Sequence, residues 1–185
     1  MGRRWWPIAA ALALIAAPGP LRAASPVGPS PIVAQTHRRA VEIASSTLNR
    51  LNMQYHLSSD ANRNNQLITR MAETARLRRR ALETLLDLDP SLAASLTFWP
   101  VQRTQFPYPI LQEIEQQDSL EGVYGMDRDA TPGPSLGAVH HWLTIRDARY
   151  ELHFLNGAPE LAPGERVAVR GLRIGQRVIV DELAH

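Results

Sequence analysis

Of the six histidines in the chain, His140, His141 and His153 lie close enough in sequence to share a site. Imidazole is the side chain best suited to divalent-metal ligation and to proton transfer near neutral pH. A metal centre would need a third or fourth ligand and groups that orient the first ones. Asp127, Asp129 and Glu151 are the carboxylates within reach, but no sequence spacing fixes them against the histidines. Neighbouring residues on a strand point to opposite faces, so His140 and His141 cannot both face one ion. The expectation is therefore ordinary solvent-facing or half-buried histidines.

Glu113, Glu115, Asp118 and Glu121 form an acidic run. Paired carboxylates can hydrolyse a glycosidic bond, but only across a cleft at a set separation. The helical spacing of this run predicts a solvated face instead. Arg76, Arg78, Arg79 and Arg80 form a basic cluster that also reads as a solvated helix face, with Glu73, Glu83 and Asp87 nearby to pair with it. There is no His-Glu-x-x-His, no Gly-x-Ser-x-Gly and no phosphate-cradling glycine loop. With no cysteine, disulfides, thiolate catalysis and Cys-based zinc sites are excluded. The reading is a protein without catalytic residues, cofactor or metal, and not an enzyme.

The N-terminus places Arg3 and Arg4 before an apolar run, Trp5 to Ala17, which Pro18, Gly19 and Pro20 interrupt. Spanning a bilayer takes about 20 apolar residues, and this run is shorter. Charge, apolar core and small residues in that order predict a secretory signal peptide over 1–23, ending at Leu21-Arg22-Ala23. The destination is periplasmic or extracellular, with no membrane span once the signal is removed. Removing Arg3, Arg4 and Arg22 from the 20 basic residues leaves 17 against 18 acidic ones. A nearly neutral exported chain has no global charge that would draw it to nucleic acid.

The elements that must position these side chains begin after a linker, 24–31, rich in Ser, Pro and Gly. Ala34, His37, Val41, Ala44, Leu48, Leu51 and Tyr55 recur at spacings of three and four and share one helical face. Arg38, Arg39, Glu42, Ser45, Asn49 and Asn52 share the other. Ser58, Ser59, Asp60 and Asn62 supply an N-terminal cap for a second helix reaching about Leu88. Its stripe is Leu67, Ile68, Met71, Ala75, Leu82, Leu85 and Leu86, with Arg78 where an apolar residue would complete it. The two read as an antiparallel helical hairpin whose stripes pack together or on the next module. Asp89-Pro90 starts a short helix to Leu96, and Ile110 to Gln117 is expected to form two more turns.

From Ser119 the period changes to alternation. Five strands are expected, Leu120–Met126, Ala138–Ile145, Arg149–Leu155, Arg166–Gly171 and Arg177–Glu182. Hairpin connections fall at 145–149 and at Ile174-Gly175-Gln176. Asp127 to Gly137 is a long Pro- and Gly-bearing loop, the kind of segment where binding residues gather. The fold class is α+β, a helical region over 32–118 followed by a five-stranded antiparallel OB-like small barrel over 119–182. Aromatic stacking on such a barrel can serve nucleic acid, but Trp142 and Tyr150 read as core side chains. For a protein-binding surface the candidates are Tyr124, Trp142, Arg146, Arg149 and Arg173.

One pattern runs through 75–180: Asp89-Pro90 after a basic helix, then a Pro-led Glu-rich segment, then Glu121-Gly122 opening a strand. Tyr150-x-Leu152-x-Phe154 follows, then Leu161, Gly164, Val167, Val169 and Gly171. It resembles an N-terminal module of large exported bacterial proteins, which often continue into secreted metallopeptidases, gametolysin-like ones among them, or into adhesion-type repeats. The resemblance carries over no catalytic residue. It implies a non-catalytic protein–protein interaction module of the envelope or extracellular space. The alternative is a detached propeptide or inhibitor-like module acting in trans on a secreted metallopeptidase.

Overall fold

A computed structural model describes residues 31–128 and 139–184. The expected signal peptide, nearly all of the expected linker, Asp129 and most of the 127–137 segment lie outside the described residues. Two long helices come first, α1 (Pro31–Leu57) and α2 (Ala61–Leu88). They form the expected hairpin. Asp60 caps α2 as anticipated, its side chain accepting from the backbone N–H of Asn62 at 2.9 Å and of Arg63 at 3.2 Å. Asp89 ends α2 and starts α3 (Pro90–Ser95), accepting from Leu92 N–H at 2.9 Å with Pro90 in the first turn.

Two further short helices, α4 (Pro100–Arg103) and α5 (Tyr108–Leu111), lead into the sheet. Ile110 to Gln117 does not form the two-turn helix expected of it, because the chain turns at Leu111 and enters β1 at Gln116. The strands are β1 (Gln116–Arg128), β2 (Val139–Ile145), β3 (Ala148–Phe154), β4 (Arg166–Ile174) and β5 (Arg177–Ala184). They close into a barrel in the order β1-β2-β3-β5-β4. Four neighbouring pairs are antiparallel, but β3 and β5 run parallel, Glu151–Phe154 against Arg177–Val180. The all-antiparallel expectation is therefore corrected, and the reason is one of parity. A closed ring with an odd number of strands cannot alternate direction all the way round, so at least one pair must be parallel.

Among the described residues, three apolar cores hold the fold. The first joins the middle and far end of the hairpin to α5, through Leu48, Leu51, Leu67, Met71, Phe106 and Ile110. The second joins the hairpin to the barrel. Val41, Leu82, Leu85 and Leu86 pack with Ala93 of α3 and with Ile174 and Ile179 of β4 and β5. Fully burying one such side chain contributes about 1.5–3 kcal/mol, so the helices and the barrel are coupled. The third fills the barrel with Tyr124, Leu143, Leu152, Val167, Val169 and Val178. Gly171 sits at a register shift in the β4–β5 pair, where a Cβ would overlap the carbonyl of Ile179.

Three polar residues depart from the patterned faces. Asn52, expected on the solvent face of α1, is buried and donates to the Gln105 carbonyl at 3.1 Å. Arg78 is not part of a solvated basic face: it is 1% exposed at the seam of α1 and α2. Nor is Glu115 part of a solvated acidic face, for its side chain is 0% exposed and forms a two-point ion pair with Arg78 at 2.5 and 3.1 Å. Arg78 also donates to Ser45 Oγ at 2.7 Å and to the Leu96 carbonyl at 2.8 Å, and it stacks 3.9 Å over the Phe98 ring. Glu115 accepts in addition from the backbone N–H of Phe98. This network ties α1, α2 and the loop after α3 to the entrance of β1. Glu113 pairs with Arg76 at 2.9 Å and with Arg79 at 3.0 Å, while Asp118 pairs with Arg173 and Glu121 with Arg166 at 3.4 Å.

Candidate functional site

Because strand partners share a face, the register sorts the barrel residues into inside and outside. The row Tyr124, Leu143, Tyr150 points in, and the next row, Gly125, Trp142, Glu151, Arg177, points out. The helices cover the outer side of β4 and β5 through Ile174 and Ile179. The outer side of β1, β2 and β3 keeps a shallow cavity of about 570 Å³.

Trp142 is the floor of this cavity. Its indole lies flat over Gly125, where a Cβ would overlap the ring. Only glycine opposite Trp142 allows that pose. Arg149 stacks on the indole, its guanidinium carbon 3.4 Å from the ring centroid. Asp127 steadies Arg149 at 3.6 Å. An exposed cation–π pair contributes about 0.5–1 kcal/mol, enough to orient the guanidinium without removing its outward donors. Trp142 is therefore no core residue.

The cavity's far wall is a chain of charges. Arg177, in the first position of β5, reaches Asp87 of α2 at 2.8 Å and Glu151 of β3 at 3.5 Å. It also donates to the Glu83 carbonyl. The tight turn Gly175-Gln176, with Gly175 at φ 63°, aims Arg177 at the end of α2. His140 approaches Glu151 at 3.4 Å.

The five candidate surface residues separate in the structure. Trp142 and Arg149 come together. Arg146 sits exposed in the two-residue β2–β3 turn, with φ 53°. Arg173 is held on β4 by Asp118 and Gln116, and its Nη1 donates to the Gly175 carbonyl at 3.2 Å. Tyr124 is excluded from any surface, being 1% exposed inside the barrel. Its hydroxyl meets His141 Nδ1 at 2.6 Å, the two rings are stacked, and Phe154 meets His141 edge-on. Burial pushes the Tyr124 phenol up. Burial, and then the neighbouring His140, push the His141 imidazole down, so it is neutral at pH 7.

The three histidines do not converge. His141 points into the barrel mouth, while His140 and His153 belong to the outer rows. Asp87 and Arg177 complete the charged wall, and no spacing pattern links a residue at the end of α2 to one on β5. A second exposed apolar group, Trp99, Val101 and Tyr108, borders α4 and α5; the sequence reading did not single it out. No described helix is long and apolar enough to cross a membrane. No protein-family model, curated protein or solved structure matches the chain.

Proposed function

We propose that the chain is an exported, non-catalytic protein–protein interaction module that binds through the open outer face of β1, β2 and β3. The observation that carries this reading is Trp142 seated against Gly125, with Arg149 stacked on its ring, on the barrel face that the helices leave uncovered. Trp and Arg are the side chains most enriched among residues that dominate binding energy. Here both are set in place before a partner arrives, which lowers the entropy lost on binding. A closed barrel offers no free strand edge for peptide addition, so recognition falls to side chains on its faces.

The barrel is OB-like in this account. Five strands close in the order β1-β2-β3-β5-β4, and the cavity lies over the second and third strands beside the β4–β5 turn, the region where OB folds take ligands. The signal sequence supports export. The near-balance of charge in the mature chain favours a protein over nucleic acid.

The test is a pull-down from the native secretome with the wild-type mature chain and with W142A/R149A. One partner recovered near stoichiometry by the wild type and reduced at least tenfold by the variant supports the reading. A secreted metallopeptidase as that partner would make the module a propeptide or inhibitor acting in trans. Equal recovery by both chains would overturn the assignment of the face.

A further inference from the structure

The charges beside the cavity include a group that the interaction reading does not use. The His153 side chain is only 10% exposed, and its Nε2 has no hydrogen-bond partner among the described residues. The nearest carboxylate oxygen, Glu151 Oε2, is 3.9 Å away, beyond hydrogen-bonding range. Leaving a buried ring nitrogen unpartnered is unfavourable, and a neutral imidazole nitrogen is a ready metal ligand. Burial chiefly holds this imidazole neutral, pushing its pKa down; Glu151 opposes that and Arg177 adds to it.

We propose that Asp87, Glu151 and His153 form a divalent-cation site at the seam between α2 and the barrel, with zinc-like chemistry. Glu151 and His153 are two apart on β3 and so share a face. Asp87 comes from the last turn of α2. One ligand atom from each lies within 4.8 Å of the others. Tetrahedral ligands around zinc stand about 3.4 Å apart, so a small rotation of the two carboxylates closes the set. Asp87 has room to rotate, its side chain being 48% exposed. One nitrogen and two carboxylate oxygens make a borderline donor set that suits zinc, cobalt or manganese.

The groups facing the site are Arg177, between the two carboxylates, and His140, against Glu151. Two carboxylates outweigh the single guanidinium, so the seam stays attractive to a cation. Arg177 and the metal share the same oxygens. The affinity is therefore set by competition, and replacing Arg177 with an uncharged residue raises it.

The experiment is a titration of the purified chain with Zn²⁺ by calorimetry and with Co²⁺ by visible absorption. Variants H153Q, D87N and R177Q are compared with H56Q, at the opposite end of the hairpin. One ion per chain is expected, with affinity at least tenfold weaker in H153Q and D87N, stronger in R177Q and within twofold of the parent in H56Q. Circular dichroism checks that each variant folds, and D87N tests the site with little packing disturbed. No binding up to millimolar metal would overturn the site. So would binding that H153Q and D87N leave unchanged, which would place the ion elsewhere on the protein. Both results leave the partner-binding face untouched.

Discussion

Arg78→Met is the most informative single perturbation of this fold. Arg78 and Glu115 are both removed from water, and each is the other's principal partner. Replacing Arg78 with Met keeps most of the packing volume but leaves the Glu115 carboxylate buried with the Phe98 N–H as its remaining partner. Ser45 Oγ and the Leu96 carbonyl also lose a donor. Removing one member of a buried pair costs about 3–5 kcal/mol. With an m-value of about 2 kcal/mol/M, that lowers the urea midpoint by about 2 M. Adding Glu115→Gln neutralises the stranded charge and retains an acceptor for Phe98, so R78M/E115Q is expected to be more stable than R78M by about 1–3 kcal/mol. Urea unfolding followed by far-UV circular dichroism measures the parent, R78M, E115Q and R78M/E115Q. The reasoning is refuted if R78M costs under 1 kcal/mol, or if the double variant loses the sum of the two single losses.

Gly125→Ala places a methyl group where the indole of Trp142 lies; the ring must leave its pose, and tryptophan fluorescence should shift to the red together with at least tenfold weaker partner recovery. Tyr124→Phe removes the hydroxyl that meets His141 Nδ1 and should cost about 1–3 kcal/mol in chemical denaturation, the cost of a buried acceptor left unpaired. The His141 pKa is lowered in the folded state from 6.5, chiefly by burial. Below pH 6.5 the unfolded chain therefore binds more protons than the folded one, and stability falls as pH drops. His141→Asn should flatten that slope in unfolding curves from pH 7 to pH 5, and an unchanged slope would assign it to other groups. Mass spectrometry of the secreted product should find a mature N-terminus at Ala24.

Local signals in the sequence were enough for the long helices, α3 and the five strands, but not for α4, α5 or the start of β1 at Gln116. Asp60 and Asp89-Pro90 cap helices because capping depends on atoms two or three residues away. Five strands and their two tight turns follow from alternation and from Gly175. What local signals do not carry is pairing across long separations. Arg78 interrupting an apolar stripe was the visible trace of a buried ion pair, yet its partner Glu115 lies in a run that reads as solvated until β1 is placed. Trp142 reads as core until the register sets Tyr124 opposite Leu143 and turns the indole outward. The seam of Asp87, Glu151, His153 and Arg177 arises only when α2 docks on the barrel, so no spacing in the chain announces it. The parallel β3–β5 pair, by contrast, was open to deduction, since five strands cannot close a barrel with every pair antiparallel.

The most direct test of the central claim is site-specific photo-crosslinking in the native secretome, with the crosslinker placed at position 176, on the cavity rim beside the Trp142–Arg149 pair, in one chain and at position 99 in another. Trp99 is 73% exposed and belongs to the rival apolar group beside α4 and α5. The account predicts one dominant adduct from position 176 and none above background from position 99. An adduct formed at position 99 alone would contradict it and move the partner to the helical side of the molecule.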